Sequence, residues 1–369
     1  MLTERDVAWM TRAVRLARRG FPAPNPHVGA VLVQEETLVG EGYHPFAGAP
    51  HAEIFAIQQA GARAHSATLY VTLEPCCHYG RTPPCTNAVI DAGIRRVVVG
   101  MQDPNPKVAG KGLQQLREAG IQVDLLPSEH PLVRELEQLN RAFLHRHRTG
   151  RPLITLKAAL SMDGKIACHT GDSKWITGER ARRYAHRLRA EHGAVLVGVG
   201  TVLKDDPQLT ARLSGVRNQP LRVVLDTHLR TPSRAQVLNT QHAPTVIFCG
   251  APAPSHADTY CERGVEVVAV PTKGGRVDLT AVIDHLIQRK VIGVLVEGGS
   301  RVHTALLEAR LADRIAFFYA PILIGGQDAP TPFEGVGAPT VAQAVRVVSV
   351  QQRRFGHDWL VEGGLEYKQ

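Results

Sequence analysis

Val7, Met10, Val14 and the Leu16/Ala17 pair recur at helical spacing with arginines between them, which predicts an amphipathic helix over 4–19. Gly20-Phe-Pro-Ala-Pro-Asn-Pro26 ends it. Two apolar runs over 28–33 and 37–42 flank a Gln-Glu-Glu turn and predict a hairpin. Helices over 51–60, 87–92 and 109–119 then alternate with buried strands over 67–72, 95–100 and 121–125. That alternation implies a three-layer α/β sandwich. A single helix is predicted over 131–147, with Leu132, Leu136, Leu139 and Phe143 on one stripe. The basic turn Arg148-Thr-Gly-Arg-Pro152 reads as a linker, dividing the chain into residues 1–148 and 149–369.

A second α/β pattern follows. Strands are predicted over 153–160, 194–199, 221–226, 245–249, 265–270, 293–296 and 314–319, with helices over 178–190, 279–289 and 300–309. A terminal pair of strands over 357–361 and 365–367 closes it. No internal repeat or low-complexity tract is present.

Composition changes this picture little. The 369 residues are 44% hydrophobic and 21% charged, ordinary globular values that argue against disorder. The first twenty residues are too charged for a signal-peptide apolar core, and no run reaches the length of a membrane span. A soluble, cytoplasmic protein is the expectation. Charge adds one point. Residues 1–148 hold 16 Lys and Arg against 14 Asp and Glu, whereas the remainder holds 27 against 20. The basic second half suits nucleic acid or phosphorylated small molecules. With 5% aromatic residues and no basic run interleaved with them, a stacking platform for nucleic acid is missing, so phosphorylated small molecules fit better.

The candidate chemistry is concentrated between His51 and Cys85. Three of the six cysteines, Cys76, Cys77 and Cys85, fall within ten residues, which without a secretory signal favours metal over disulfide. Cys168, Cys249 and Cys261 stand singly and read as small buried thiols. One imidazole (His51) and two thiolates (Cys76 and Cys85) suit tetrahedral zinc and leave a fourth position for water. Glu53, two residues from the imidazole, is placed to handle that water's protons. Pro75 and Pro83-Pro84 stiffen the approaches to Cys76 and Cys85 and are expected to set both thiols at helix starts, where the macrodipole favours thiolate. A zinc that only staples loops would want a fourth ligand, for which His78 is available; Cys77 reads as a packed thiol beside the site.

His-x-Glu followed by Pro-Cys and a later Cys resembles the zinc nucleobase-deaminase signature, but with eight residues between the cysteines instead of two. That spacer resembles the deaminase half of the bifunctional riboflavin-biosynthesis deaminase–reductase family. Asn25-Pro-His-Val-Gly-Ala-Val31 and Gly42-Tyr-His-Pro-Phe-Ala-Gly-Ala-Pro-His-Ala-Glu53 are similar to the same family. The resemblance implies a cytidine-deaminase-like α/β/α domain over 1–148, with zinc on His51, Cys76 and Cys85. Water would be activated for attack on the amino-bearing ring carbon, and Glu53 would carry a proton to the departing ammonia. Asn25, His44, His78 and Arg81 become candidates for holding the pyrimidine and its ribose phosphate.

The second half has no complete G-x-G-x-x-G; Gly198-Val-Gly200 supplies only the first pair, so a Rossmann reading fails. Leu156-Lys-Ala-Ala-Leu-Ser-Met-Asp-Gly-Lys-Ile-Ala167, Gly171-Asp-Ser-Lys-Trp-Ile-Thr-Gly178, the run from Gly198 to Arg212, Leu225-Asp-Thr227 and Val296-Glu-Gly-Gly-Ser300 resemble the reductase half of that family, in order. The resemblance implies a dihydrofolate-reductase-like α/β domain over 149–369 that uses NADPH. By position it places cofactor contacts at Ala159, Trp175, Thr201, Asp205, Thr227, Gly298, Gly299 and Ser300. Substrate contacts fall at Ser173, Arg189, Leu209, Arg212 and Glu297. Arg189 and Arg212 are forks suited to a sugar phosphate, and Gly298-Gly299 before a helix offers bare N–H groups for a pyrophosphate. Arg189 reads equally as one of several solvated charges on its helix, Trp175 as core, and Lys157 and Asp163 as catalytic groups or as a mutual pair.

Taken together, the resemblance implies hydrolytic deamination of 2,5-diamino-6-(5-phosphoribosylamino)pyrimidin-4-one and then NADPH-dependent reduction of the ribosyl side chain to ribityl. A nucleoside or tRNA deaminase with an inert second domain and a zinc-stapled nucleotide-binding module are the competing readings. Exposed apolar edges in the second domain suggest a homodimer.

Overall fold

The computed structural model describes residues 2–79 and 83–368. Its two compact units are Met1–Gly150 with Gly215–Asn218, and Arg151–Ser214 with Gln219–Gln369.

The first unit runs α1 (Glu4–Ala17), β1 (Gly29–Gln34), β2 (Thr37–Tyr43), α2 (Ala52–Ala60), β3 (Thr68–Val71), α3 (Cys85–Asp91), β4 (Arg96–Val99), α4 (Lys111–Glu118), β5 (Gln122–Leu125), α5 (Pro131–Leu139) and α6 (Arg141–Thr149). Its sheet has the order β2-β1-β3-β4-β5, with β1 antiparallel to both neighbours and the rest parallel. Helices cover both faces. A Cβ on Gly29 would lie 2.0 Å from the Ala13 carbonyl oxygen of α1, and one on Gly42 would lie 2.5 Å from that of Ala52 in α2. Gly42 pairs with Ala30, one residue along from Gly29, and successive strand residues face opposite ways. These close approaches therefore seat α1 on one face and α2 on the other.

A buried carboxylate ties α1 to the sheet. Thr3 and Asp6 form a capping box, and Asp6 also accepts from Tyr70 (2.8 Å) on β3 and Arg96 (2.7 Å) on β4. Arg96 continues to Asp124 (2.7 Å) on β5. Although burial opposes ionisation, Arg96 and the cap hold the Asp6 carboxyl well below its ordinary range.

The helix expected over 131–147 is two helices. They break at Asn140, whose buried side chain accepts the His27 N–H (2.7 Å) and donates to the His27 carbonyl (3.1 Å). An amide facing a backbone segment 113 residues away leaves no signal in local periodicity.

The second unit comprises β6 (Leu153–Ser161), α7 (Glu179–His192), β7 (Ala194–Gly198), α8 (Val199–Asp205), β8 (Leu221–Leu225), β9 (Thr245–Gly250), α9 (Asp258–Cys261), β10 (Glu266–Val270), the small hairpin β11 (Thr272–Lys273) and β12 (Arg276–Val277), α10 (Leu279–Gln288), β13 (Gly293–Val296), α11 (Ser300–Glu308), β14 (Arg314–Ala320), β15 (Arg346–Phe355) and β16 (Asp358–Glu366). The main sheet is ordered β10-β9-β8-β7-β13-β6-β14-β16-β15. It is parallel from β10 to β14, with β16 and β15 added antiparallel. Leu196, Val223, Val294 and Val296 pack with α10 and α11, while Val195, Val197, Val224 and Ile247 pack with Val202, Leu238 and Tyr260. Strands buried on both faces explain the unbroken apolar runs of the sequence.

Two expectations are corrected here. The terminal strands over 357–361 and 365–367 are one strand, β16, and its true partner β15 went unread. Nearly every residue of β15 is exposed, so it lacks the alternation that one buried face would impose. Of the three single cysteines only Cys249 is buried; Cys168 is half-buried and Cys261 exposed.

Candidate metal centre and cofactor cleft

In the first unit His51 caps α2 in extended conformation instead of lying on its first turn, and Cys85 opens α3. Cys76 lies in the connection after β3 and not at a helix start, contrary to expectation. What fixes it is Glu74, which sequence reasoning passed over. This buried carboxylate accepts main-chain N–H groups from Asp103 (3.2 Å), Gly110 (3.0 Å), Gly112 (2.9 Å) and Leu113 (3.2 Å). The only clue in the sequence was a Glu inside Glu-Pro-Cys.

His51 Nδ1 lies 3.2 Å from Cys85 Sγ and 3.6 Å from Cys76 Sγ, and all three ligand atoms fall within 4.8 Å of one another. Among the described residues no other His, Cys or carboxylate joins the cluster, so His78 supplies no fourth ligand. Cys77 points elsewhere, its Sγ 3.8 Å from the Lys107 carbonyl. The hydrogen bond from Cys85 lowers the Cys76 thiol well below its ordinary range, and that same contact with burial pushes the Cys85 thiol far up. Two thiols and an imidazole crowded so closely ionise together only around a cation. Soft S, S, N donors with an open side match zinc.

Glu53, on the first turn of α2, is 3% exposed, and its Oε2 has no hydrogen-bond partner. Burial pushes its carboxyl up to about 7. A buried carboxyl that touches Cys85 and keeps one oxygen free beside an open ligand set is placed to carry a proton. Beside it His44, held neutral mainly by burial with its pKa lowered to about 4, contacts the Pro50 carbonyl (3.0 Å) and Asn25 Nδ2 (2.9 Å). A neutral ring that accepts from the amide at Nε2 must donate through Nδ1–H. The His44 and His51 rings stack edge to face at 5.1 Å. His78 is half-buried, with Nδ1 unsatisfied. Arg81 lies outside the described residues.

The second unit holds a cleft of about 1210 Å³ along the C-terminal ends of its parallel strands. Thr201, Asp205, Thr227, Gly299 and Ser300 line it, as does Ser173. Ala159 sits half-buried on β6, Gly298 is buried, and Trp175 is 68% exposed under the Arg182 guanidinium (4.6 Å); none of the three lines the cleft. Trp175 is therefore not core. Bare N–H groups at the starts of α8 and α11, a size suited to a dinucleotide and a polar rim fit NADPH.

Beside the cleft, Glu297 accepts from Arg189 through both oxygens (2.6 and 3.0 Å) and pairs with Lys157 (3.3 Å). Arg189 is thus 14% exposed and not a solvated charge; its Nη1 also donates to the Thr210 carbonyl. Lys157 and Asp163 do not pair: Asp163 accepts from the Ile324 and Gly325 N–H groups. Buried Leu209 carries a positive φ of 54°, and exposed Arg212 approaches Gln208 and Thr210. Arg222, unread in the sequence, is fully buried and donates to the carbonyls of Gln208, Gln236, Asn239 and Ala243.

Fold and sites together define a two-domain α/β protein with a zinc deaminase module and a reductase module. Residues 3–101 match the family model of the cytidine and deoxycytidylate deaminase zinc-binding region, and residues 152–361 match that of the RibD C-terminal domain. The riboflavin biosynthesis protein RibD of Aquifex aeolicus is 44% identical over 98% of this chain and 99% of its own, and that of Escherichia coli is 43% identical over 87% and 89%. The structure of Acinetobacter baumannii RibD superposes with a TM-score of 0.86 at 38% identity, covering 99% of both chains. A Thermotoga maritima structure described as a diaminohydroxyphosphoribosylaminopyrimidine deaminase/5-amino-6-(5-phosphoribosylamino)uracil reductase gives 0.82 at 36%, covering 98% of this chain and 99% of that one. The chain belongs to the RibD family. It is a bifunctional deaminase and reductase of riboflavin biosynthesis, with a zinc-binding deaminase domain and an NADPH-dependent, dihydrofolate-reductase-like reductase domain.

Proposed function

We propose that residues 1–148 deaminate 2,5-diamino-6-(5-phosphoribosylamino)pyrimidin-4-one and that residues 149–369 reduce the ribosyl group of the product to ribityl. The observation that carries the first step is the buried, unpartnered Glu53 oxygen beside the His51, Cys76 and Cys85 donors. Those three residues hold zinc, which supplies Lewis-acid activation of water when bound. Glu53 takes a proton from the attacking water and returns it to the amine, which leaves as ammonia. His44 and Asn25 orient the pyrimidine through the unused Asn25 amide groups, and the ribose phosphate is assigned to His78 and, from the family resemblance alone, to Arg81.

In the second step NADPH supplies hydride. Thr201, Asp205, Thr227, Gly299 and Ser300 hold the cofactor, with Ala159, Trp175 and Gly298 as its outer contacts. Ser173, Arg189, Leu209, Arg212 and Glu297 hold the substrate, with exposed Arg212 taking its phosphate and Arg189 acting through its ion pair with Glu297. Because the donors of the two steps are separate, removing zinc by chelation is expected to abolish deamination while NADPH oxidation with deaminated substrate persists. Metal analysis of the untreated protein should give about one zinc per chain. Deamination that survives complete metal removal would overturn this reading.

Phosphorylated substrates and NADPH are retained inside cells, so we place the activity in the cytoplasm; no helix among the described residues is long and apolar enough to cross a membrane. We also read the second unit as the contact surface of a homodimer. β15 is an edge strand that exposes Val347, Val348 and Val350, and Val341 nearby in sequence is 95% exposed. Light scattering is expected to return twice the 40.1 kDa chain mass, and a monomeric mass at micromolar concentration would refute it.

A further inference from the structure

The cleft in the second unit carries a charge pattern that its role as a nicotinamide site does not by itself explain. Of its lining cations, Arg301 pairs with Glu334 (3.7 Å) and Lys204 packs against Gly171. The others fall on two adjoining segments. Arg230, with His228, follows β8, and Lys273 and Arg276 flank the Gly274-Gly275 tip of the β11–β12 hairpin. Arg230, Lys273 and Arg276 are exposed, and none forms an ion pair among the described residues. The two segments are held side by side: the Val277 N–H donates to Thr227 Oγ1 (3.3 Å), and the Gly250 N–H donates to the Thr227 carbonyl (3.0 Å). The lining carboxylate of this end, Asp278, is occupied in capping α10 through the Thr280 N–H (2.9 Å).

The order of strands orients a dinucleotide here. Hydride transfer puts the nicotinamide beside the substrate groups Arg189 and Glu297, on the β6 and β13 side of the cleft. The bare N–H groups at Gly299-Ser300 and Gly198–Gly200 then meet the diphosphate. The diphosphate thus lies over the ends of β13 and β7, and one further strand step to β8, about 5 Å at the usual spacing, is about the distance from a diphosphate phosphorus to the ribose it carries. The ribose arrives among Arg230, Lys273 and Arg276. We propose that these three residues form a clamp for the 2′-phosphate of NADPH and so select it over NADH. The inference rests on the nicotinamide reading of the cleft and adds the groups that distinguish one cofactor from the other. It also accounts for part of the positive charge of the second half.

The test is equilibrium binding to the full-length protein, with no turnover required. Titrations use NADPH, NADH, adenosine 2′,5′-bisphosphate and 5′-AMP, on wild type, R230Q, K273Q, R276Q and the conservative R276K. Each Gln variant should weaken NADPH and the 2′,5′-bisphosphate about tenfold, since each loses a charge-assisted contact, and should leave NADH and 5′-AMP within twofold. R276K should keep part of the preference. Wild-type affinity for NADPH should also fall more steeply with salt than that for NADH. Equal losses for NADPH and NADH, or no loss for either, would overturn the clamp while the nicotinamide cleft stands. A wild-type protein that binds neither cofactor would sink the cleft assignment and the clamp together. The variants sit on exposed segments, and an unchanged melting temperature confirms that they are folded.

Discussion

Replacing Glu53 with Gln is expected to lower deaminase turnover by about 10²–10⁴-fold, the range for losing a positioned general acid–base group. The amide has nearly the shape of the carboxylate but carries no proton between water and leaving amine. Since Glu53 is not among the three clustered ligands, zinc content should stay near that of the unmodified protein. NADPH-dependent reduction, which uses residues of the other unit, should be unchanged. Steady-state deamination, metal analysis and reductase rate on one preparation separate these effects. Full deaminase turnover with zinc in place would remove the role given to Glu53.

Glu297→Ala is expected to cost about 3–5 kcal/mol of stability in the second unit, because it leaves Lys157 and Arg189 facing each other without their shared anion. Reductase activity should fall with it. Burial opposes ionisation of Glu297, yet Arg189 and Lys157 hold the carboxyl well below its ordinary range. A depressed folded-state pKa stabilises the protein above the unfolded value of about 4.3, and that contribution is lost as pH falls toward the folded value. The gap between wild type and variant should therefore be full near neutrality and narrow below about pH 4. Denaturant titrations at several pH values read it directly. A constant gap across that window would show that the ion cluster is not its source.

Much of this was legible beforehand where local pattern and global role coincide. Gly-terminated helices such as α2 and α4, and apolar runs such as β7 and β13, declare themselves because burial on both faces or one stripe fixes the residue type. His51, Cys76 and Cys85 were legible for another reason: few residue types bind zinc. What stayed hidden depends on partners distant in sequence. Asn140 breaks a helix for the sake of His27, Arg222 and Glu74 spend their charge on main-chain groups far along the chain, and β15 gains its place only by pairing with β16. Arg189 looked like one more surface arginine because its decisive neighbour, Glu297, is 108 residues away.

Glu74 has one consequence for how the first unit can vary. It grips the stretch from Asp103 to Leu113 through peptide N–H groups, which every residue but proline offers alike. The thiolate of Cys76, two residues on, is thus registered against a loop whose side chains are left out of the bargain. Exposed side chains of that stretch, such as Lys107 and Ala109, are open to exchange, whereas Gly112 is not, since a Cβ there would lie 2.3 Å from the Pro75 carbonyl oxygen. The exposed surface of this stretch can therefore change while the main-chain grip on Glu74 stays as it is.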